Sequence, residues 1–195
     1  MSLTSIQVRA LLAEKFPGLK TRLPDPAPVA DNLWPVALAG LDPAWPDGLA
    51  KGALTEIIAG SNSGSAGLMH ALLYCAAKEN QIVALIDGAD SLEVGQLGEK
   101  ILSRLLWVRC CSTAEVTKAA DLVLRDQNFS LVLIDLKMNP VAQLRKIPAT
   151  VWHRWQRLIE NTATVCVVCT PHTLVSATRR RVILRAKANP SLAAG

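Results

Sequence analysis

The sequence has no long apolar run: its longest stretch without Asp, Glu, Lys or Arg, from Ile57 to Ala77, opens IIAGSNSGSAG. That opening is too polar and too rich in glycine to lie in hydrocarbon, so no membrane span is expected. The first residues, MSLTSIQVRA, have neither the apolar h-region nor the cleavage pattern of a secretory signal. The 5 cysteines are odd in number, which rules out a fully paired disulfide framework and makes the reduced cytoplasm the expected compartment. Ligand patterns for metal are missing too. Cys166 and Cys169 have no second CxxC or CxxH, and His70, His153 and His172 are too scattered to share a helix at ligand spacing. No GxSxG elbow supports a nucleophile among Ser61, Ser63 and Ser65, which read as turn and cap residues. Acidic residues stop altogether after Glu160.

What is present suits one compact domain with some extra chain: 195 residues, 50% hydrophobic and 19% charged. A chain of this size buries roughly 70% of its unfolded surface and folds without a metal or disulfide staple. Charge is unevenly divided. Residues 1–136 carry 11 Lys and Arg against 15 Asp and Glu, a net of −4, whereas residues 137–195 carry 10 against Glu160 alone, a net of +9. A basic third of this kind suits a phosphate backbone, an acidic protein face, or simply a solvated tail. Its densest cluster is Arg179, Arg180, Arg181, Arg185 and Lys187.

Seven of the 11 prolines fall between residues 17 and 46, so residues 1–44 read as a leader of extended chain and turns. A short amphipathic helix begins that leader: Thr4 and Gln7 have capping-box spacing, and Val8, Leu11, Leu12 and Phe16 share a face. Trp34 and Trp45 are the residues expected to pin the leader to the domain. From residue 53, apolar β-rich runs alternate with helical patterns, the signature of βαβ units around a parallel sheet. Strands are expected at 54–58, 82–87, 105–109, 130–135 and 164–169, and helices at 66–79, 92–104, 113–126 and 149–160. RRRVILRAK from Arg179 reads as a terminal strand or a tail. The class is α/β, with a core at 45–186 and a tail at 187–195. Within it, Cys166 and Cys169 face opposite sides of a strand, and Trp152 and Trp155 share the buried face of a helix.

In an open α/β sheet the turn after the first strand is the usual phosphate cradle. Here that turn is AGSNSGSAG, residues 59–67. Against GxxxxGK[ST], Ala59 stands at the first glycine, Gly64 at the second, Ser65 at the lysine and Ala66 at the magnesium-binding hydroxyl. The surrounding segment GLAKGALTEIIAGSNSGSAGL, residues 48–68, resembles the entry to the RecA-type ATPase core. ALIDGADSLEV, residues 84–94, resembles the RecA stretch carrying the catalytic glutamate: Asp87 matches its aspartate, but Ala89 occupies the glutamate position, so the water-activating base is gone unless the neighbouring Asp90 substitutes for it. LVLIDL resembles a Walker B strand ending in Asp135, and TVCVVCTPH the next core strand. Such a frame implies a RecA-like fold without lysine stabilisation, metal anchoring or water activation.

LLWVRCCSTAEVTKAADLVLRDQNFSLVLIDL, residues 105–136, further resembles the ImuA family, related to SulA-like division inhibitors. That resemblance implies a non-catalytic accessory factor of the bacterial DNA-damage (SOS) response, supporting error-prone translesion synthesis without a cofactor. The partners it implies are a Y-family polymerase-like protein, an error-prone replicative-type polymerase and RecA, with DNA contact a further possibility through the basic cluster. Two alternatives stand beside it: an ATPase using a relocated lysine such as Lys51 with Asp135, and a SulA-like division inhibitor.

Overall fold

A computed structural model of the chain describes residues 33–34, 48–60 and 63–184. The leader helix, Trp45, Ser61, Arg185 and Lys187 lie outside the described residues. The strands are β1 (Leu33–Trp34), β2 (Leu49–Ala50), β3 (Ala53–Ala59), β4 (Val83–Asp87), β5 (Leu105–Arg109), β6 (Leu131–Asp135), β7 (Val165–Thr170) and β8 (Arg180–Leu184). The helices are α1 (Ser65–Lys78), α2 (Glu99–Leu102), α3 (Thr113–Asp126), α4 (Val141–Leu144) and α5 (Ala149–Ile159).

Six strands form one sheet in the order β5-β4-β6-β7-β3-β8, and every pairing in it is parallel. A parallel sheet is covered on both faces, which is why VALID, LVLID and VCVVCT are buried at every position. The chain steps from β3 past two vacant places to β4 and β5, then returns through β6 and β7. Right-handed crossovers taken in opposite directions put their helices on opposite faces. Accordingly, α1 and α2 pack with Ile57, Leu85, Leu133 and Val167 on one face, while α3, α4 and α5 pack with Leu54, Ile86, Ile134 and Val168 on the other.

Cys169 belongs to the first core and Cys166 to the second, as the strand alternation requires, so they are two separate packing residues. Burial pushes both thiols far up from the ordinary cysteine range; Asp135 adds to the rise at Cys169 and Lys137 opposes it. Trp34 is buried in the first core, pairs through β1 with β2, and donates its indole N–H to Gln81 Oε1 at 2.6 Å.

The helix expected at 92–104 is broken. A single 3₁₀ turn covers Val94–Gln96 and a short α2 follows, because Gly95 and Gly98 each cost about 1 kcal/mol in a helix interior and Gly98 instead takes an extended conformation as the cap of α2. Half of the capping box before α3 forms: Ser112 Oγ accepts from the Glu115 N–H at 3.2 Å, whereas the Glu115 carboxylate takes the N–H of Cys111, one residue before the cap, at 2.8 Å. Pro148 caps α5, whose Trp152 and Trp155 are both buried in the second core. The terminal segment is a strand, β8, in register with β3. Among the described residues no helix is long and apolar enough to cross a membrane.

Candidate functional site

The carboxyl ends of β3, β4, β6 and β7 converge where a ligand sits in open α/β sheets. A cleft of about 260 Å³ opens there. The loop after β3 passes into α1 through Gly64 at φ 80°, left-handed backbone that only glycine adopts without strain, and this residue caps the helix. Ser65 is buried in the first turn, no side chain caps α1, and no acidic residue stands in its first turn. Ala66 lines the cleft where a magnesium-binding hydroxyl would stand. Ala59 is buried at the end of β3, and Ser63 donates its backbone N–H to Gly60 O at 3.3 Å, a turn contact.

Asp87 and Asp135 are register partners on adjacent strands, so their side chains project from the same face with backbones roughly 4.8 Å apart. Each carboxylate is already engaged. Asp87 accepts from the N–H groups of Leu92 at 2.8 Å, Ser91 at 3.0 Å and Ala89 at 3.3 Å, folding the loop after β4 around itself. Asp135 accepts from the Lys137 N–H at 3.1 Å and pairs with the Lys137 ammonium. The lysine side chain is 19% exposed and the aspartate 8%, so the pair is largely withdrawn from water. Both residues line the cleft with His70 and Glu93.

Gly88 closes the junction between these two loops. A Cβ there would lie 2.4 Å from Asn139 Oδ1 and 2.9 Å from Asp135 O, and the Asn139 amide donates to Gly88 O at 2.7 Å. Glycine is thus required by close approach.

Ala89 carries no carboxylate, and Asp90 is turned to Arg109 on β5 at 3.6 Å, both half exposed, without lining the cleft. Lys51 precedes β3 while the loop follows it; seven residues of strand separate them by roughly 20 Å. A relocated phosphate lysine at Lys51 is therefore at the wrong end of the sheet. The lysine that does reach the cleft is Lys137, which the sequence reading passed over; its signal is the spacing of two from Asp135 in LIDLK. The donor set does not fit a magnesium nucleotide: the strand carboxylate is held by an ammonium, and an alanine replaces the hydroxyl ligand.

Arg179, Arg180 and Arg181 of the basic cluster are all exposed, but Arg181 alone has its guanidinium tied down. Arg181, the register partner of Glu56, turns to the second core, where its Nε meets Glu56 Oε2 at 2.5 Å and its Nη2 donates to Val175 O at 3.1 Å. Cys110, at the end of β5, is buried, and burial first, then Glu115, Asp87 and Cys111, push its thiol upward, which makes it a poor nucleophile.

No family model matches the chain, and no curated protein matches it in sequence. Among solved structures it is similar to the crystal structure of the RadB recombinase, with 16% identity, a TM-score of 0.53, and coverage of 70% of this chain and 68% of that chain. The likeness is one of fold, and the fold is RecA-like.

Proposed function

We propose that this RecA-like domain works by binding partners without hydrolysing nucleotide, as an ImuA-like accessory factor of damage-induced, error-prone DNA synthesis. One observation carries the non-catalytic reading: the carboxylate that ends β6 is paired with the Lys137 ammonium inside the cleft. Phosphoryl transfer rests on positioned charge: a lysine on the phosphates, a metal on a strand aspartate and a hydroxyl, and a group orienting water. At the corresponding places stand Ser65, the Asp135–Lys137 pair with Ala66, and Ala89. The resemblance of residues 105–136 to the ImuA family supports the damage-response role, with polymerase-like and RecA-like proteins as the partners.

Isothermal titration of the full chain with ATP and magnesium is expected to show no micromolar binding, and a phosphate-release assay no turnover. Micromolar binding with magnesium-dependent turnover would overturn the reading. Among the described residues of the basic cluster, Arg179 and Arg180, which unlike Arg181 are not bonded to Glu56, are the ones we assign to an acidic partner face. Exchanging both for alanine is expected to weaken capture of a Y-family polymerase-like partner, and raising the salt concentration should weaken the wild-type complex toward the variant's level. An unchanged complex removes these arginines from the interface. Salt-sensitive binding of single-stranded DNA, lost in the variant, would assign them to a phosphate backbone.

A further inference from the structure

We propose that the groove between α1 and α2 is a docking site for an acidic peptide segment of a partner protein, which seats one apolar side chain between the helices and sets its carboxylates on Lys78 and Lys100. The inference goes beyond the non-hydrolytic reading and does not depend on it. The groove also lies away from the basic cluster, because α2 leads into β5 at one edge of the sheet and β8 forms the other. Both helices pack on the first core, and between them Tyr74, Ala77, Gly98 and Ile101 line a cavity of about 320 Å³. That is room for one large apolar side chain with part of its backbone. Gly98 keeps the space open. It caps α2 at φ −68° and ψ 155°, backbone that any residue adopts, and a Cβ placed on it would meet nothing within 4 Å. The turn therefore does not require a glycine here, and the effect of the missing side chain is room.

The rim supplies the charge. Tyr74, 59% exposed, and Lys78 stand one turn apart on the outer face of α1, and Lys100 lines the groove from α2. His70, one turn further back on α1, completes the lining, which includes no carboxylate. The ammonium groups of Lys78 and Lys100 have no hydrogen bond or ion pair among the described residues, whereas Lys137, Arg154 and Arg181 each meet a carboxylate. An apolar cavity rimmed by two unpaired cations is complementary to an apolar side chain flanked by anions: the anchor gains from burial, and the carboxylates are steered to the lysines. A nucleic acid suits the groove less. A single strand needs cations repeated along its phosphates and aromatic faces for successive bases, but here one tyrosine stands at one cavity. Glu79 and Glu99, both exposed, adjoin the two lysines in sequence and would repel a phosphate backbone continuing past them.

The probes are fluorescein-labelled synthetic peptides with a central Phe, Leu or Trp between aspartates, titrated into the full chain at low salt and followed by fluorescence anisotropy. At least one is expected to bind saturably and to weaken as salt is raised, and a control with serine at the centre should bind about ten-fold more weakly for want of the apolar anchor. Gly98→Leu, which fills the cavity, and the double variant Lys78→Glu, Lys100→Glu should each weaken binding about ten-fold or more while keeping a cooperative thermal transition. Tyr74→Ala, which removes one wall, serves if the leucine variant does not fold. The chain carrying Arg179→Ala and Arg180→Ala should bind the peptides as wild type does, so this groove and the arginine interface fail separately. A wild-type chain that binds none of the peptides, or binds them no better than the groove variants do, overturns the inference. An oligothymidylate that binds more tightly than the peptides and loses affinity in the same lysine variant overturns it as well, in favour of a nucleic acid.

Discussion

Replacing Glu56 by alanine is expected to cost about 3–5 kcal/mol of folding stability, chiefly because it takes the acceptor away from several inward-facing donors at once. Glu56 lies in the middle of β3 with no exposed surface. Its Oε1 accepts from the Leu174 N–H at 2.7 Å, the Val175 N–H at 3.0 Å and the Thr170 hydroxyl at 3.1 Å, while its Oε2 meets Arg181. Alanine leaves two backbone N–H groups and a hydroxyl without that acceptor, at about 1–3 kcal/mol for each one that stays buried. Arg181 contributes less to the loss, since its side chain is 37% exposed and can rehydrate. Glu56→Gln keeps the volume and one carbonyl acceptor and should lose roughly half as much. Urea denaturation measures the loss, and amide exchange should accelerate first between Thr170 and Leu184, the segment that Glu56 fastens. A change below about 1 kcal/mol would mean that water replaces the network at little cost and that β8 is held by its ladder alone.

Trp155→Ala should cost a comparable amount, about 3–5 kcal/mol, for a different reason. This indole is wholly buried between α5 and the sheet, and it meets Trp152 edge to face with ring centroids 5.0 Å apart. Its Nε1 also donates to Asp121 Oδ1 at 2.8 Å, the carboxylate on α3 that receives Arg154 through two further bonds at 3.0 and 2.8 Å. Truncation thus opens a cavity in the second core and loosens the union of α3 with α5 together. Trp155→Phe, which retains most of the ring but loses the donor, separates the two terms and should cost about 1–2 kcal/mol. Against a total of about 5–15 kcal/mol for a domain, the alanine variant should show a clearly lower urea midpoint. An unchanged midpoint would show that neighbouring side chains collapse into the space.

Both residues show how much could be read in advance. The spacing of Trp152 and Trp155 on one helical face marked them as core, because a helix that covers a sheet must turn one stripe inward. The tie of Trp155 and Arg154 to Asp121 is not legible there, since it joins residues 34 and 33 positions apart. Glu56 lies within residues 48–68, the segment that resembles the RecA-type entry. Its role depends on Arg181, 125 residues away, coming to lie on the neighbouring strand. The helix expected at 92–104 is interrupted because Gly95 and Gly98 break it into a 3₁₀ turn and a short α2.

The sequence by itself determined the α/β class, the parallel sheet and the loss of lysine and hydroxyl from the loop after β3. These follow from local information: a strand buried on both faces must be apolar at successive positions, and a side chain missing from a short loop is missing whatever the fold. Only the tertiary structure decided which charges are compensated. Strand order sets Asp87 beside Asp135 and Arg181 beside Glu56, and it puts Lys51 at the far end from the cleft. The turn after β6 folds Lys137 back onto Asp135. Such pairings depend on hydrogen bonds between distant segments or on the path of a turn, and no hydrophobic period encodes them, whereas burial makes each of them energetically decisive.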